Sequence, residues 1–266
     1  MLSPAQRDRV EIVLVSPRNP LNIGAVARAM ANFGFSHLTV AAAYAPHWRE
    51  AKSAVGAPEL LATARECATL GEALRDCTFV AGTGTLTHRR PEQPVVPLPA
   101  LAPLLLRQLD GGGPASAAGC IHPARRVALV FGPEKHGLTR QDLAFCHVLV
   151  EIPTGPRQPS MNLGQAVAVC LYELARPMET AGSPASETRE PLHPSVTSAE
   201  LDRLADLVEQ TMAAAHYSPR SMQAANRHDV RVLLRGLSLS PQDLRRILGL
   251  FRRVLWRLGR SNGGRP

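Results

Sequence analysis

Two short runs of aliphatic and β-branched residues place the strongest limit on how this 266-residue chain can fold. One covers residues 10–15 and ends at Ser16-Pro17; the other covers residues 127–131 and ends at Gly132-Pro133. Neither alternates apolar with polar residues, a pattern typical of strands buried on both faces of a parallel sheet. Helix-like segments separate these and other strand-like segments as far as residue 178. The sequence therefore predicts an α/β fold with a parallel sheet.

Further strands are predicted over residues 37–41, 78–81 and 147–152. Predicted helices lie between them, at residues 22–31, 58–66, 70–76, 139–146 and 162–176. Asn22 is the predicted N-cap of the first of these helices, since Asn is favoured at that position. Residues 95–109 are interrupted by Pro and are predicted to be helical in their second half. The Gly-rich residues 111–119 are predicted to form a surface loop.

The pattern changes near residue 178. Residues 179–196 are rich in Pro, Ser and Glu, which is typical of a linker. Beyond them only helix patterns occur, beginning with the capping box Thr197-x-x-Glu200 and ending with a helix that has Pro241 at its first position. We therefore expect an α/β domain over residues 1–178, a linker over 179–196 and a small all-α domain over 197–260. In the last helix, Leu255 and Trp256 are expected to face inward.

The net charge of +8 is concentrated at the C-terminus. Residues 1–217 contain 19 Lys and Arg against 20 Asp and Glu, whereas residues 218–266 contain 11 Arg against two Asp. Such a basic piece is typical of a chain that meets a polyanion, and guanidinium groups bind phosphate in a bidentate manner. We predict that RNA binds to the exposed arginines of the last helix: Arg245, Arg246, Arg252 and Arg253. A solvated helix face or a membrane surface are the alternatives.

Several classes of protein are disfavoured. The sequence has no apolar run of the roughly 18 residues that a membrane span needs, and its polar N-terminus does not resemble a signal peptide. Five widely spaced cysteines without a C-x-x-C pattern predict reduced thiols in the cytoplasm and no metal site. The aromatic content of 4% argues against a surface that stacks single-stranded bases. The G-x-G-x-x-G, P-loop and G-x-S-x-G motifs are absent.

Three loops rich in Gly or Pro follow predicted strands, at residues 81–85, 131–138 and 152–162. Parallel strands present their carboxyl ends at one edge of a sheet, where ligands bind. A fourth feature, Asn22-x-Gly24-x-x-x-Arg28, lies at the start of the first major helix. Gly24 and Arg28 are one helical turn apart, so Arg28 is expected to extend over a bare turn and to meet a phosphate. Turn glycines and a solvated arginine are the alternatives for each feature taken alone.

Together these segments carry three motifs in order: N-x-G-x-x-x-R at residues 22–28, F-G-x-E-x-x-G-L at 131–138 and I-P…S-x-N at 152–162, with Tyr172-Glu173 closing the last helix of the domain. Over about residues 9–176 the chain resembles the SPOUT RNA methyltransferases, specifically the TrmH-like branch, and its C-terminal extension is similar to that of the TrmJ subgroup. The resemblance implies a C-terminal trefoil knot, S-adenosyl-L-methionine as cofactor, and a homodimer with active sites at the subunit interface. It also implies methylation of the ribose 2′-hydroxyl of tRNA, at cytidine or uridine 32 of the anticodon loop.

The resemblance also implies roles for single residues. The catalytic and substrate-side residues are Arg28, Asn22, Glu134 and Asn162; the cofactor contacts are Thr83, Gly84, Thr85, Gly132, Ile152, Pro159, Ser160 and Met161. Met161 stands where the family usually has Leu, a substitution that conserves volume. An rRNA ribose methyltransferase and a non-catalytic RNA-binding protein with the same fold are the alternatives.

Overall fold

A computed structural model describes residues 1–44, 47–84, 91–110, 125–177, 196–217 and 219–262. The strands are β1 (Val10–Val15), β2 (His37–Ala41), β3 (Arg65–Cys67), β4 (Cys77–Thr83), β5 (Val95–Pro97), β6 (Arg126–Phe131) and β7 (Val148–Glu151). The helices are α1 (Pro4–Arg7), α2 (Pro20–Phe33), α3 (Pro58–Thr63), α4 (Leu70–Leu74), α5 (Leu101–Asp110), α6 (Arg140–Leu143), α7 (Leu163–Ala175), α8 (Ser198–Ala214), α9 (Gln223–Gly236) and α10 (Pro241–Asn262). Short 3₁₀ turns cover Trp48–Glu50, Leu98–Ala100 and Arg220–Met222.

The seven strands form one sheet in the order β3-β2-β1-β6-β4-β7-β5, and every pairing is parallel. The prediction of a parallel α/β sheet is therefore confirmed. The two runs that favoured it, β1 and β6, are neighbours at the centre of the sheet, where Leu14 lies opposite Phe131. Every residue of β1 is buried, as expected for a strand covered on both faces.

Two edge strands differ from the sequence prediction. The helix predicted over residues 58–66 ends at Thr63, and Arg65–Cys67 pairs with β2 as β3. Arg65 and Glu66 are exposed at this edge, so no apolar pattern marks the strand. Val95–Pro97 forms β5 at the opposite edge, where a Pro without an amide proton is tolerated.

Helices cover both faces of the sheet. The core on one face includes side chains of α2, α3, α5 and α7, with Phe35 and Trp48 among its buried residues. The other face is covered by α4 and by the segment around Phe145. Leu2 is buried in the larger core, and its amide donates to Leu174 O at 2.9 Å, which fixes the N-terminus against α7.

Helices α8, α9 and α10 share a core of their own, which includes Leu201, Leu204, Leu234 and Leu244. The predicted capping box is present: Thr197 Oγ1 accepts from Glu200 N, and the Glu200 carboxylate accepts from Thr197 N. The inward orientation expected for Trp256 is wrong, because 56% of this residue is exposed. The predicted loop at 111–119 and residues 179–195 of the predicted linker lie outside the described residues.

The helical unit packs against the sheet face that carries α4. Arg235 is 4% exposed; its Nε donates to Phe145 O at 3.0 Å and its Nη2 to Asp202 Oδ1 at 3.0 Å. Ala199 N, in the first turn of α8, donates to Arg75 O at 3.2 Å. Together with the pairs His228–Glu92 at 3.3 Å and Arg140–Asp229 at 3.6 Å, these bonds join the helical unit to the α/β unit.

Cys67, Cys77, Cys146 and Cys170 are free thiols, and Cys120 lies outside the described residues. Burial raises the pKa of Cys77, Cys146 and Cys170 to about 12, so these three thiols stay protonated. In the described ranges, no helix combines the length and the apolar character that crossing a membrane requires.

Candidate active site

The three Gly- and Pro-rich loops leave the carboxyl ends of adjacent strands. In the sheet, β6, β4 and β7 follow one another, with Gly82 opposite Val130 and Thr83 opposite Val150. Strand β1, which leads into α2, lies on the other side of β6. Because all pairings are parallel, the four segments singled out in the sequence meet at one edge of the sheet, the edge formed by the carboxyl ends of the strands.

The start of α2 differs from the predicted start. Asn19, not Asn22, is the N-cap: its side-chain oxygen accepts from Leu21 N at 3.0 Å. Pro20 occupies the first helical position, where its fixed φ favours the helix and its missing amide proton costs nothing. Asn22 therefore lies in the first turn, and its side chain is available for contacts outside the helix.

Asn22, Glu134 and Asn162 form one hydrogen-bonded network. Asn22 Nδ2 donates to Glu134 Oε1 at 2.8 Å, and Asn162 Nδ2 donates to Asn22 Oδ1 at 2.9 Å. Asn162 is also the N-cap of α7, where its Oδ1 accepts from Gly164 N at 2.9 Å. Each of the three motifs thus supplies one side chain to the network, and three of the four predicted catalytic residues lie together.

The Glu134 carboxylate also holds the loop before α2. Its Oε2 accepts from Arg18 N at 3.1 Å and its Oε1 from Asn19 N at 3.2 Å. Burial acts to raise the pKa of Glu134, but the hydrogen bonds from Asn22 and from backbone amides outweigh it and lower the pKa below its usual value. Glu134 is therefore ionised at neutral pH and acts as an acceptor that fixes the loop and the Asn22 amide.

Arg28 lies two turns along α2 from Asn22. Its side chain is exposed and has no hydrogen-bond or ion-pair partner within the described parts of the chain. The expected bare turn at Gly24 is wrong: Gly24 is buried, and a Cβ there would lie 2.2 Å from Ser53 Oγ and 2.8 Å from Ala54 N. The glycine lets the segment after Trp48–Glu50 pack against the helix, so the turn before Arg28 is covered and not bare.

The predicted cofactor contacts fall into two groups. Thr83 and Gly132 have structural roles. Thr83 Oγ1 donates to Val130 O at 3.0 Å. A Cβ at Gly132 would lie 2.2 Å from Leu138 N, so this position requires glycine. At Gly84, by contrast, none of the described residues lies within 4 Å of the position a Cβ would take, which leaves its backbone open to a ligand as far as they are concerned. Thr85 lies outside the described residues.

The third loop supplies the remaining predicted contacts. Ser160 is exposed, and three others are half-buried: Ile152, Pro159 and Met161. Thr154 Oγ1 donates to Pro159 O at 3.0 Å and Gln158 N donates to Gly155 O at 3.1 Å, which gives this loop an internal order. Its backbone carbonyl and amide groups lie at the same sheet edge as Gly84 and can receive a polar ligand.

Three residues of the site were missed in the sequence. The backbone amides of Arg18 and Asn19 donate to Glu134. Such a role does not depend on the side chains, so the sequence pattern does not indicate it. Gly164 allows α7 to approach α2, since a Cβ there would lie 2.8 Å from Ala25 Cβ. The sequence signal that could have identified Gly164 is its position two residues after the N-cap Asn162.

The predicted RNA-binding arginines are exposed on α10, as the sequence suggested: Arg245, Arg246, Arg252 and Arg253. Arg245 Nε donates to Pro241 O at 3.1 Å, and Arg246 pairs with Asp243 at 3.3 Å. Arg252 and Arg253 make no hydrogen bond or ion pair within the described residues. The helix thus offers several guanidinium groups to solvent.

A parallel sheet with this set of motifs at its carboxyl edge defines a class of protein. The sequence pattern of the SpoU rRNA Methylase family matches residues 9–172, and the chain belongs to that family. The matched residues include the whole Asn22–Glu134–Asn162 network and all four segments of the sheet edge.

More particular likenesses come from single relatives. A tRNA (cytidine/uridine-2′-O-)-methyltransferase TrmJ from Pectobacterium atrosepticum is 32% identical over 251 residues, 93% of this chain and 97% of that protein. A tRNA (cytidine/uridine/adenosine-2′-O-)-methyltransferase TrmJ from Pseudomonas aeruginosa is 39% identical over 168 residues, which are 63% of this chain but only 60% of that protein. The crystal structure of TrmJ from Z. mobilis ZM4 superposes with a TM-score of 0.76 at 27% identity and covers 92% of this chain and 98% of that one.

Proposed function

We propose that this protein transfers a methyl group from S-adenosyl-L-methionine to a ribose 2′-hydroxyl of tRNA, at cytidine or uridine 32 of the anticodon loop. The observation that carries the proposal is the Asn22–Glu134–Asn162 network, which gathers one side chain from each family motif at one sheet edge. The names of the TrmJ relatives favour tRNA as the substrate, and a tRNA-modifying role implies the cytoplasm as its location.

The strand-end segments fit the cofactor. Gly84 leaves its backbone open, and the third loop exposes its polar backbone groups beside it. S-adenosyl-L-methionine, when bound, supplies an electrophilic methyl group on a positively charged sulfur. The residues that would hold it are Thr83 and Gly132 through their backbone, together with Gly84, Thr85, Ile152, Pro159, Ser160 and Met161.

Arg28 is the residue proposed to act on the RNA. A guanidinium group keeps its proton in proteins, so Arg28 does not serve as a base. It is free to hold the phosphate beside the target ribose in a bidentate manner and to polarise the 2′-hydroxyl. Alignment of the reacting groups can lower the activation barrier by up to roughly 7–11 kcal/mol. Asn22, which is fixed by Glu134 and Asn162, stabilises the helix that carries Arg28.

The fold proposal includes a C-terminal trefoil knot and a separate all-α domain. The late strands β6 and β7 lie inside the sheet, between earlier strands, as a threaded chain requires. Helices α8, α9 and α10 have a separate hydrophobic core. This core favours the division of the chain into a domain over residues 1–178, a linker at 179–196 and an RNA-binding extension at 197–260. The four arginines of α10 would bind RNA phosphates there: Arg245, Arg246, Arg252 and Arg253.

A homodimer with active sites at the subunit interface is part of the proposal. The outer face of α7 exposes Val169 and Tyr172, and Leu21 at the start of α2 is 55% exposed. These apolar side chains lie on α2, which carries Asn22 and Arg28, and on α7, which is capped by Asn162, so a partner packed there would lie beside the site. Light scattering at micromolar concentration would give twice the chain mass; a monomer would contradict the arrangement.

The experiment that tests the function is a methyl-transfer assay with a tRNA transcript, followed by mass-spectrometric mapping of methylated riboses. A single 2′-O-methyl group at position 32 is expected. Calorimetric titration with S-adenosyl-L-methionine separates the alternatives, because a non-catalytic RNA-binding protein need not bind the cofactor. Methylation of rRNA and not of tRNA would favour the rRNA enzyme, and absence of both methylation and cofactor binding would contradict the proposal.

A further inference from the structure

A cavity of about 690 Å³ lies between α4, α8 and α10, where the helical unit meets the α/β unit. Three guanidinium groups from three separate elements line it. Arg75 directly follows α4, Arg203 lies in α8 and Arg252 lies in α10. We call this cavity the junction cleft. It shares no residue with the network at the sheet edge.

The three arginines of the junction cleft are exposed and unpaired. None of their side chains makes a hydrogen bond or an ion pair within the part of the chain that the structure describes. Other arginines of the helical unit are engaged: Arg227 pairs with Glu209 at 2.6 Å, and Arg235 pairs with Asp202 at 3.0 Å. The folded chain therefore leaves the charges of the cleft arginines available to a ligand.

The carboxylates that line the cleft offset these charges only in part. Asp202 already accepts from Arg235 and lies 3.6 Å from Arg231. Glu72 accepts from Ala68 N at 3.0 Å, which fixes it to the start of α4. Glu72 keeps its negative charge, because an amide does not neutralise it, and Asp206 has no ion pair among the described residues. Three guanidinium groups thus face two carboxylates without an ion pair, which leaves an excess of one positive charge in the cleft.

We propose that the junction cleft binds the phosphodiester backbone of the RNA substrate, outside the target nucleotide. Guanidinium groups bind phosphate oxygens in a bidentate manner, and the 11 arginines in the last 49 residues already favour a polyanion. The volume lies within the roughly 300–1,000 Å³ of ligand-sized pockets, more than one inorganic phosphate fills. This inference rests on the proposed function and adds Arg75 and Arg203, outside the basic C-terminal piece, to the RNA surface.

The test compares two double variants that each remove two exposed cationic side chains without a partner among the described residues. Arg75→Ala with Arg203→Ala removes two charges from the cleft, while Lys52→Ala with Arg107→Ala removes two from the α/β unit outside the cleft. The hydrogen bond from Ala199 N to Arg75 O uses backbone atoms and is retained in the variant. Melting temperatures of both variants are measured to show that each is folded.

Fluorescence anisotropy with labelled tRNA, at several salt concentrations, gives the result. We expect the cleft variant to bind about tenfold more weakly and to lose about 2 from the slope of log affinity against log salt, since each phosphate contact contributes about 1. The control variant should bind within about threefold of the unmodified chain. Equal weakening in the two variants would overturn the junction-cleft proposal alone, whereas no tRNA binding by the unmodified chain would overturn the proposed function as well.

Discussion

Arg28 is an exposed guanidinium on α2, close in sequence to an amide network that is fixed by three motifs. Replacement of Arg28 by Lys keeps the positive charge but exchanges a planar fork for a point charge. We expect tRNA affinity to change by less than about threefold and turnover to fall by about a hundredfold or more, because geometry and not charge is lost. Steady-state kinetics and anisotropy on the same preparation check this, and wild-type turnover would remove Arg28 from the mechanism.

His147, the residue before β7, has a structural role. Its Nδ1 accepts from Val80 N at 3.1 Å, and its ring stacks on Phe79 with centroids 5.2 Å apart. Burial lowers the pKa of His147 to about 3, so the folded protein keeps the ring neutral.

This histidine makes stability depend on pH. Between about pH 6.5 and 3 the unfolded chain binds a proton that the folded chain does not, so the free energy of unfolding falls as the pH falls. The slope from this residue is at most about 1.4 kcal/mol per pH unit. Urea unfolding of His147→Asn between pH 7 and 5 should show a flatter dependence, because the Asn oxygen keeps the acceptor without the titration. His216→Asn, at an exposed position, should keep the wild-type slope; an unchanged slope in His147→Asn would contradict the assignment.

The site residues were recognisable because each motif pairs a strand end with an unusual loop. Asn22, Glu134 and Asn162 were singled out because their motifs resemble those of the SPOUT methyltransferases, and in the structure both Glu134 and Asn162 are hydrogen-bonded to Asn22. The Asn22 cap and the bare turn at Gly24 were wrong for different reasons. The start of the helix is set locally, by the cap Asn19 and by Pro20 at the first helical position. The turn at Gly24 is covered by the segment around Ser53, which is distant in sequence.

At the level of the secondary-structure elements, the central strands were predictable and the edge strands were not. Burial on both faces of β1 and β6 requires continuous apolar residues, and this composition is visible in the sequence. An edge strand such as β3 pairs on one side only, so Arg65 and Glu66 are tolerated and the strand resembles the end of a helix.

The loop after β6 depends on Gly132 for its close turn. A Cβ at this position would lie 2.2 Å from Leu138 N and 2.3 Å from Gly137 C, and both are backbone atoms that cannot move aside. Gly132→Ala should therefore lower the free energy of unfolding by roughly 1–3 kcal/mol, as other overpacked substitutions do. Gly155→Ala, where nothing lies within 4 Å, should change it by less than about 0.5 kcal/mol. Chemical denaturation measures both, and a Gly132→Ala protein as stable as wild type would contradict the tight turn.

For the whole molecule, Arg235 is a buried side-chain link between the helical unit and the α/β unit, beside the contacts of Arg231 with Phe145 and of His228 with Glu92. Its guanidinium lies 5.3 Å from the centroid of the Phe145 ring and reaches both Phe145 O and Asp202. Arg235→Ala should lower the free energy of unfolding by roughly 3 kcal/mol, because it leaves a carboxylate and a carbonyl without their buried partner.

Arg227→Ala is the matched control for this link. Arg227 also pairs with a carboxylate, Glu209, but its side chain is 53% exposed, so its loss should cost less than about 1 kcal/mol. Equal losses in urea unfolding of the two variants would show that Arg235 does not hold the units together. Hydrogen exchange in α9 should increase in Arg235→Ala and stay unchanged in Arg227→Ala.

The most direct measurement is a crystal structure of this protein bound to its methyl donor. The account predicts S-adenosyl-L-methionine at the carboxyl ends of β4, β6 and β7, in contact with the backbone at Gly84 and with the loop from Ile152 to Met161. Donor density at another place, or no density at saturating concentration, would contradict the assignment of this sheet edge as the site of methyl transfer.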